Sequence, residues 1–291
     1  MPDIHLAFPA LLALALPLAA CGDGGGGSVA STPTPPSSPS YATLDTLSGT
    51  HTMTATGVRM ASFDGASQQV QLTIDYDPAA GSYVIKESGN TLVTATAANK
   101  LGAAANGAVA EYYSNAQTPW YDLLIYRPKV NGVQLSYTQI VGLSLTANAN
   151  SNGNMLVTGI ATRTDDMPKS GTARYIGTVF GQGYSDRNAY TFTQKSTANL
   201  SANFATGAIS TDLHLIGTSN TGGADKDLGT LSGTGVLATN GSTFAGTFAG
   251  TTGAGFAGGF FGPAASEFGY GYAFNKGDTT SVVGYVAGKK N

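Results

Sequence analysis

The chain has a single cysteine, Cys21, so it can close no internal disulfide and build no cysteine-based zinc cluster. Charge is also scarce. Asp, Glu, Lys and Arg make up 11 % of the residues, less than half the usual share, and the formal net charge is −3. That balance gives no basic footprint for nucleic acid. Of the three histidines, His5 falls in an amino-terminal targeting segment, and His51 and His214 have no Glu or Asp at metal-ligand spacing. There is no Gly-x-Ser-x-Gly elbow and no workable Ser/His/Asp set. Gly24 to Gly27 precede no strand–helix unit, so they are not a phosphate loop. Asp165-Asp166 and Asp225-Lys226-Asp227 lack the ligand series of a calcium loop and read as charged turns. The expectation is a protein that is not an enzyme and carries no cofactor. Strong helix formers are few as well, which argues against a helical fold.

What fills the gap is glycine, 40 residues in 291, together with Thr, Ser, Asn and Ala. Gly is thus at about twice its average usage, and the mixture suits an all-β protein with many tight turns. The apolar residues alternate over long runs, which argues against disorder.

The amino end reads as an address. Leu6 to Ala20 is an apolar run of signal length, short of the roughly 20 residues that span a bilayer. It ends in Leu18-Ala19-Ala20-Cys21, which resembles the lipobox of bacterial lipoproteins. That resemblance implies cleavage before Cys21, a diacylglycerol on its thiol and a further acyl chain, commonly palmitate, on the new amine. Each buried CH₂ of such chains contributes roughly 0.8 kcal/mol to anchoring. The segment before Leu6 departs from the signal pattern, with no Lys or Arg and with Asp3. Gly22 after the cysteine points to the outer membrane by the lipoprotein sorting rule. Residues 21–40 are rich in Gly, Ser and Pro and read as a flexible tether behind a signal peptide over residues 1–20.

From residue 41 to 163 short strands alternate with turns. Val70, Leu72, Ile74 and Tyr76 share one face of a half-buried strand. Asp77-Pro78-Ala79-Ala80-Gly81 is turn chemistry, and Ser82 to Lys86 returns, so a hairpin is expected. Thr91 to Thr96 offers a third strand, while Ala97 to Ala110 lacks a period and reads as loop. Large aromatics are densest in Glu111-Tyr112-Tyr113 and in Trp120 to Arg127. Tyr112, Tyr113, Trp120, Tyr121 and Arg127 are of types enriched at binding hot spots and form the candidate ligand-binding set. Alternation requires some of these aromatics to be core.

Residues 164–291 give about eight strands at the 8–12-residue spacing of β-barrels and sandwiches. Ala173, Tyr175, Gly177 and Val179 share a face, as do Leu200, Ala202 and Phe204, while Ser201, Asn203, Ser210 and Asp212 lie opposite. Polar outer faces exclude a porin, which needs lipid-facing apolar bands. Near the end, Phe256, Gly258 and Phe260 share a face, then Phe268, Tyr270, Tyr272 and Phe274, with Gly269, Gly271 and Ala273 opposite. Pro263 cannot donate to a ladder, so Gly262 to Glu267 is a corner of about one helical turn. Eight antiparallel strands can close with no free edge, and the aromatics predict a packed interior without a lipocalin-like cavity.

The corner Phe261-Gly262-Pro263, Ala265, Glu267-Phe268-Gly269 resembles the signature of the barrel domain of transferrin-binding protein B and related surface lipoproteins, with Tyr270 where a second Gly is common. Met167-Pro168, Gly171, Ala173, Tyr175 and Gly177 resemble the family's opening barrel strand, and Thr211 stands at another usual Gly. Leu135-Ser136-Tyr137-Thr138 matches the amino-terminal region more loosely. The resemblance implies an all-β chain: a strand-rich, handle-like domain over 41–163, then an eight-stranded antiparallel closed barrel over 164–291. It further implies an outer-membrane lipoprotein at the cell surface, anchored by Cys21. Such a protein takes part in iron or haem acquisition, with a host iron- or haem-carrying protein, an outer-membrane transporter and a lipoprotein translocator as partners. Two alternatives stay open: a structural or adhesive surface lipoprotein, and a direct haem or small-solute binder using Tyr112, Tyr113 or Tyr184.

Overall fold

Asp77 shows how the chain makes its turns. Its carboxylate accepts hydrogen bonds from the backbone N–H groups of Ala79 and Ala80 at 2.9 and 3.1 Å, and Gly81 adopts φ +56°. The hairpin read from the sequence closes on this Asx turn. The computed structural model describes residues 40–61, 66–104, 108–116, 119–147, 150–239, 241–277 and 279–291.

The first part contains β1 (His51–Met60), β2 (Ser67–Asp77), β3 (Ser82–Glu87), β4 (Asn90–Ala95), β5 (Ala110–Ser114), β6 (Trp120–Tyr126), β7 (Lys129–Val130), β8 (Val133–Gln134), β9 (Thr138–Ala147) and β10 (Asn150–Gly159). Eight of them form one antiparallel sheet in the order β4-β3-β2-β1-β10-β9-β6-β5, and β7 pairs with β8 alone. All eight strands send side chains into one core, including Leu72, Ile74, Ile85, Tyr121, Leu123 and Val141. The Tyr121 hydroxyl donates to the Thr94 carbonyl at 3.1 Å, so one end of the sheet reaches the other.

The second part contains β11 (Thr172–Ser185), β12 (Asn188–Phe192), β13 (Thr197–Asn203), β14 (Ala208–Ser219), β15 (Lys226–Leu237), β16 (Thr243–Phe248), β17 (Thr252–Phe261), β18 (Glu267–Lys276) and β19 (Thr280–Lys290). Both β12 and β13 run against β11 and then against β14, one after the other. They are one strand interrupted at Thr193–Ser196, where the Ser196 hydroxyl donates to the Ile216 carbonyl and accepts from the Ile216 N–H. Eight strand positions therefore go round, and β11 pairs with β19 to close the antiparallel barrel. The interior is packed with rings: Tyr175, Phe244, Phe256, Phe260, Phe268, Tyr270, Tyr272 and Phe274 are buried in one cluster. The corner is a single 3₁₀ turn, Pro263–Ala265.

β17, β18 and β19 are buried on both faces. Their inward rings fill the barrel, and their outward residues carry the first sheet. Val58, Met60, Ala254, Ala273 and Val283 form one contact cluster, and Ile140, Val157, Phe261, Tyr285 and Ala287 another. Gly271 shows how close the approach is: a Cβ there would lie 2.1 Å from the Met155 carbonyl oxygen. The bare face of β18 is thus needed for docking a second sheet as well as for curvature.

Candidate functional site

β5 is an edge strand, and its pairing with β6 sorts the candidate aromatics by face. Tyr112 and Tyr121 point into the core. Tyr112 donates its hydroxyl to the Gly81 carbonyl at 2.9 Å and packs edge-on to Tyr83. Tyr113 and Trp120 point outward, 40 % and 37 % exposed, with ring centroids 6.4 Å apart. Leu101 and Val109 flank this hairpin, so four of the seven large exposed hydrophobics among the described residues lie on or beside β5 and β6. Clustering of that kind marks a contact surface more often than scattered single residues do.

Arg127 follows β6 and is mostly withdrawn from solvent. Its Nη1 lies 3.1 Å from Asp45 Oδ1, and the rest of the guanidinium faces inward with Tyr76, Tyr83 and Gln139. On the opposite face of β6, burial raises the Asp122 carboxyl above its ordinary value, and the nearby Glu111 charge adds to the rise. Tyr184, the remaining haem-ligand candidate, is exposed on β11 of the barrel, remote in topology from Tyr113. Cys21 and the tether up to residue 39 lie outside the described residues.

The histidines have ordinary partners. His51 Nε2 is 2.9 Å from the Ser48 carbonyl, and His214 Nε2 is 3.0 Å from Asp227 Oδ1. No group of three or more metal-ligating side chains occurs among the described residues. No helix among them is long and apolar enough to cross a membrane.

The three sequence blocks that carry the family resemblance converge at the 3₁₀ corner. Glu267, buried at the start of β18, accepts from the Ser136 N–H at 2.7 Å, the Tyr137 N–H at 3.0 Å and the Thr138 hydroxyl at 2.9 Å. Tyr175 donates its hydroxyl to the Ala265 carbonyl at 2.8 Å. Ala264 N–H donates to Asp166, and Thr162 donates to the Gly262 carbonyl. Gly262 sits at φ +71° with the Tyr137 ring where its Cβ would be. Burial raises the Glu267 carboxyl, and its hydrogen bonds oppose the rise without cancelling it. The sequence showed these blocks as separate motifs. Their shared task, joining the barrel to the first sheet, appears only when residues some 130 positions apart meet.

Residues 167–290 match the family model for the C-lobe and N-lobe beta barrels of Tf-binding protein B. No curated protein matches the chain. Similar solved structures include a transferrin binding protein B variant from Haemophilus parasuis, described as a vaccine antigen. It is 17 % identical with a TM-score of 0.42, over 79 % of this chain and 55 % of that one. Isotype 1 transferrin binding protein B from serogroup B Neisseria meningitidis is 17 % identical with a TM-score of 0.41, over 82 % and 43 %. The N-lobe of lactoferrin binding protein B from Moraxella bovis is 11 % identical with a TM-score of 0.36, over 82 % and 99 %. The chain spans 55 % to 61 % of the length of the first three structures it resembles. The closed, ring-filled cylinder built around the Gly262–Glu267 corner is thus the part of this chain that matches the model of the Tf-binding protein B barrels, over residues 167–290.

Proposed function

We propose that this protein is an outer-membrane lipoprotein, held by acyl chains on Cys21 and displayed at the cell surface, that binds an iron- or haem-carrying host protein. The observation that carries the reading is the family match of residues 167–290 to the barrels of a transferrin-binding protein. The lipobox at Leu18–Cys21 supports the anchor. The exposed Tyr113 and Trp120 pair on an edge hairpin is the surface we assign to the partner. Residues 41–163 act as the handle-like part that presents it, and residues 21–40 as the tether.

The test has two arms on the full-length chain. In the first, cells expressing it are labelled with palmitate and then shaved with protease. Labelling that is lost in Cys21→Ala, and release of the folded part from intact cells, are expected; an unlabelled parent chain or complete protection removes the anchor or the display. In the second, detergent-solubilised protein is offered transferrin, lactoferrin and haemoglobin. Retention of one of them, weakened at least tenfold by Tyr113→Ala with Trp120→Ala, is expected. Retention of none leaves the structural or adhesive reading, and a Soret band on adding hemin alone would replace the host protein with haem.

A further inference from the structure

The outward face of β5 and β6 carries charge of one sign. Residues 101–126 and 134–162, which hold these strands together with β9 and β10, contain no Lys, Arg or His, and their only charged residues are Glu111 and Asp122. Asp122 lies directly across the ladder from Tyr113, with Trp120 two positions before it, and Glu111 stands two positions before Tyr113. The two acids and the two exposed rings therefore share one face. The bases that flank this stretch in the chain are turned away. Lys100 bridges to Tyr112 and lines the cavity on the inward side, and Arg127 continues the inward phase of β6 and pairs with Asp45. No ion pair among the described residues involves Asp122. Its neighbour on β9 is the neutral Ser144.

Two carboxyls of like charge in a partly desolvated setting disfavour each other's ionised form, and a cation brought to them relieves that. The rings supply the place for it. A guanidinium within about 6 Å of a ring centroid is attracted by the ring face, tryptophan most strongly. Centroids 6.4 Å apart let one guanidinium lie within that reach of both Tyr113 and Trp120. The carboxyls act on it through their field, so the cation has no need to touch the buried Asp122 Oδ1. Leu101 and Val109 widen the patch, 41 % and 56 % exposed, and a free small cation would leave that apolar border wet. The fit is to a cationic side chain carried on a protein surface.

We propose that the outward face of β5 and β6 recognises an arginine side chain of a basic protein segment, held against the Tyr113 and Trp120 rings with Glu111 and Asp122 as its counter-charges. This rests on the reading of that face as the contact surface and adds the chemistry of what docks there. A cation at the rings favours ionised Asp122, so docking tightens as pH rises through the carboxyl's folded value. The other titratable groups that face Asp122 are Glu111 and Tyr113 on β5 and Tyr126 on its own strand; β9 contributes none.

Trp120 is the chain's single tryptophan, so its fluorescence reports on this face alone. The full chain is titrated at low salt with acetyl-triarginine amide, and with the tricitrulline peptide as the neutral counterpart of nearly the same shape. A saturable fluorescence change, at least tenfold tighter for triarginine and tightening severalfold from pH 4.5 to pH 7.5, is expected. Asp122→Asn removes the charge and keeps the shape, and should weaken triarginine at least fivefold and flatten the pH profile. Tyr113→Ala should weaken it similarly, whereas Tyr113→Phe, which keeps the ring face, should not. Absence of saturable binding, tricitrulline binding as tightly, or triarginine binding indifferent to Asp122→Asn would each overturn the assignment. Should Asp122→Asn fail to fold, the parent chain's pH profile decides alone, and a flat profile overturns it. The peptide needs no host protein, so failure to retain transferrin, lactoferrin or haemoglobin leaves this result readable, and failure of the peptide leaves the host-protein reading to its own test.

Discussion

Replacing Glu267 tests whether the family corner is the clamp between the two sheets. The carboxylate accepts from three converging donors: two backbone N–H groups of Ser136 and Tyr137 and the Thr138 hydroxyl. Glu267→Gln keeps the shape but turns an N–H₂ toward at least one of those N–H groups. One buried donor orphaned costs about 1–3 kcal/mol. Glu267→Ala orphans all three and should cost about 4 kcal/mol or more, toward the upper end of single substitutions. In a folded body of this size 1 kcal/mol moves the melting temperature by about 2–4 °C, so Glu267→Gln should melt about 2–12 °C lower at pH 5. The sign of the pH dependence follows from the raised carboxyl. A raised acid stabilises the fold fully below the ordinary carboxylate range and loses that contribution as pH rises through its folded value. The deficit of Glu267→Gln should therefore shrink between pH 4 and pH 7. Thermal melts of the full chain give the size, and hydrogen exchange at Ser136 and Tyr137 gives the location. An unchanged melting point with unchanged protection of those two amides would refute the clamp.

Gly271→Val places a side chain where Met155 O would lie 2.1 Å from its Cβ; a loss of more than about 3 kcal/mol is expected in urea titrations, against about 1 kcal/mol for Gly277→Ala, which has open space but φ +62°. Thr211→Val removes the hydroxyl that lies 3.0 Å from the Tyr270 hydroxyl inside the barrel and 2.8 Å from the Asn199 carbonyl. It should cost about 1–3 kcal/mol, whereas adding Tyr270→Phe should recover part of that loss in a double-mutant cycle. Tyr113→Ala with Trp120→Ala should change stability by no more than about 1 kcal/mol, so any lost partner retention reports the surface and not the fold.

Much of the strand pattern was legible because one face of most strands is wet. β2 and β14 each alternate apolar and polar residues along their length, and period two marks them directly. β1 is hidden in the sequence for a physical reason. Met53 and Ala55 face the core of the first sheet, whereas Val58 and Met60 face the barrel, so the apolar phase flips at Gly57 and no single period runs through the strand. Among the binding candidates, residue type singled out five positions, yet only the β5–β6 register separates outward Tyr113 and Trp120 from inward Tyr112 and Tyr121.

Alternation, turn residues and glycine content by themselves determined an all-β protein with a ring-rich carboxyl-terminal half, because backbone pleat and side-chain volume are local properties; the closed barrel was implied by the family resemblance and is made by the pairing of β11 with β19. The tertiary structure alone decided what the glycine face of β18 is for, and that Glu267 answers to Ser136, Tyr137 and Thr138. It also decided that Arg127 turns inward, with two guanidinium nitrogens left without partners. The first two depend on which distant backbone arrives opposite a given residue, and contacts made across more than a hundred positions leave no period in the chain.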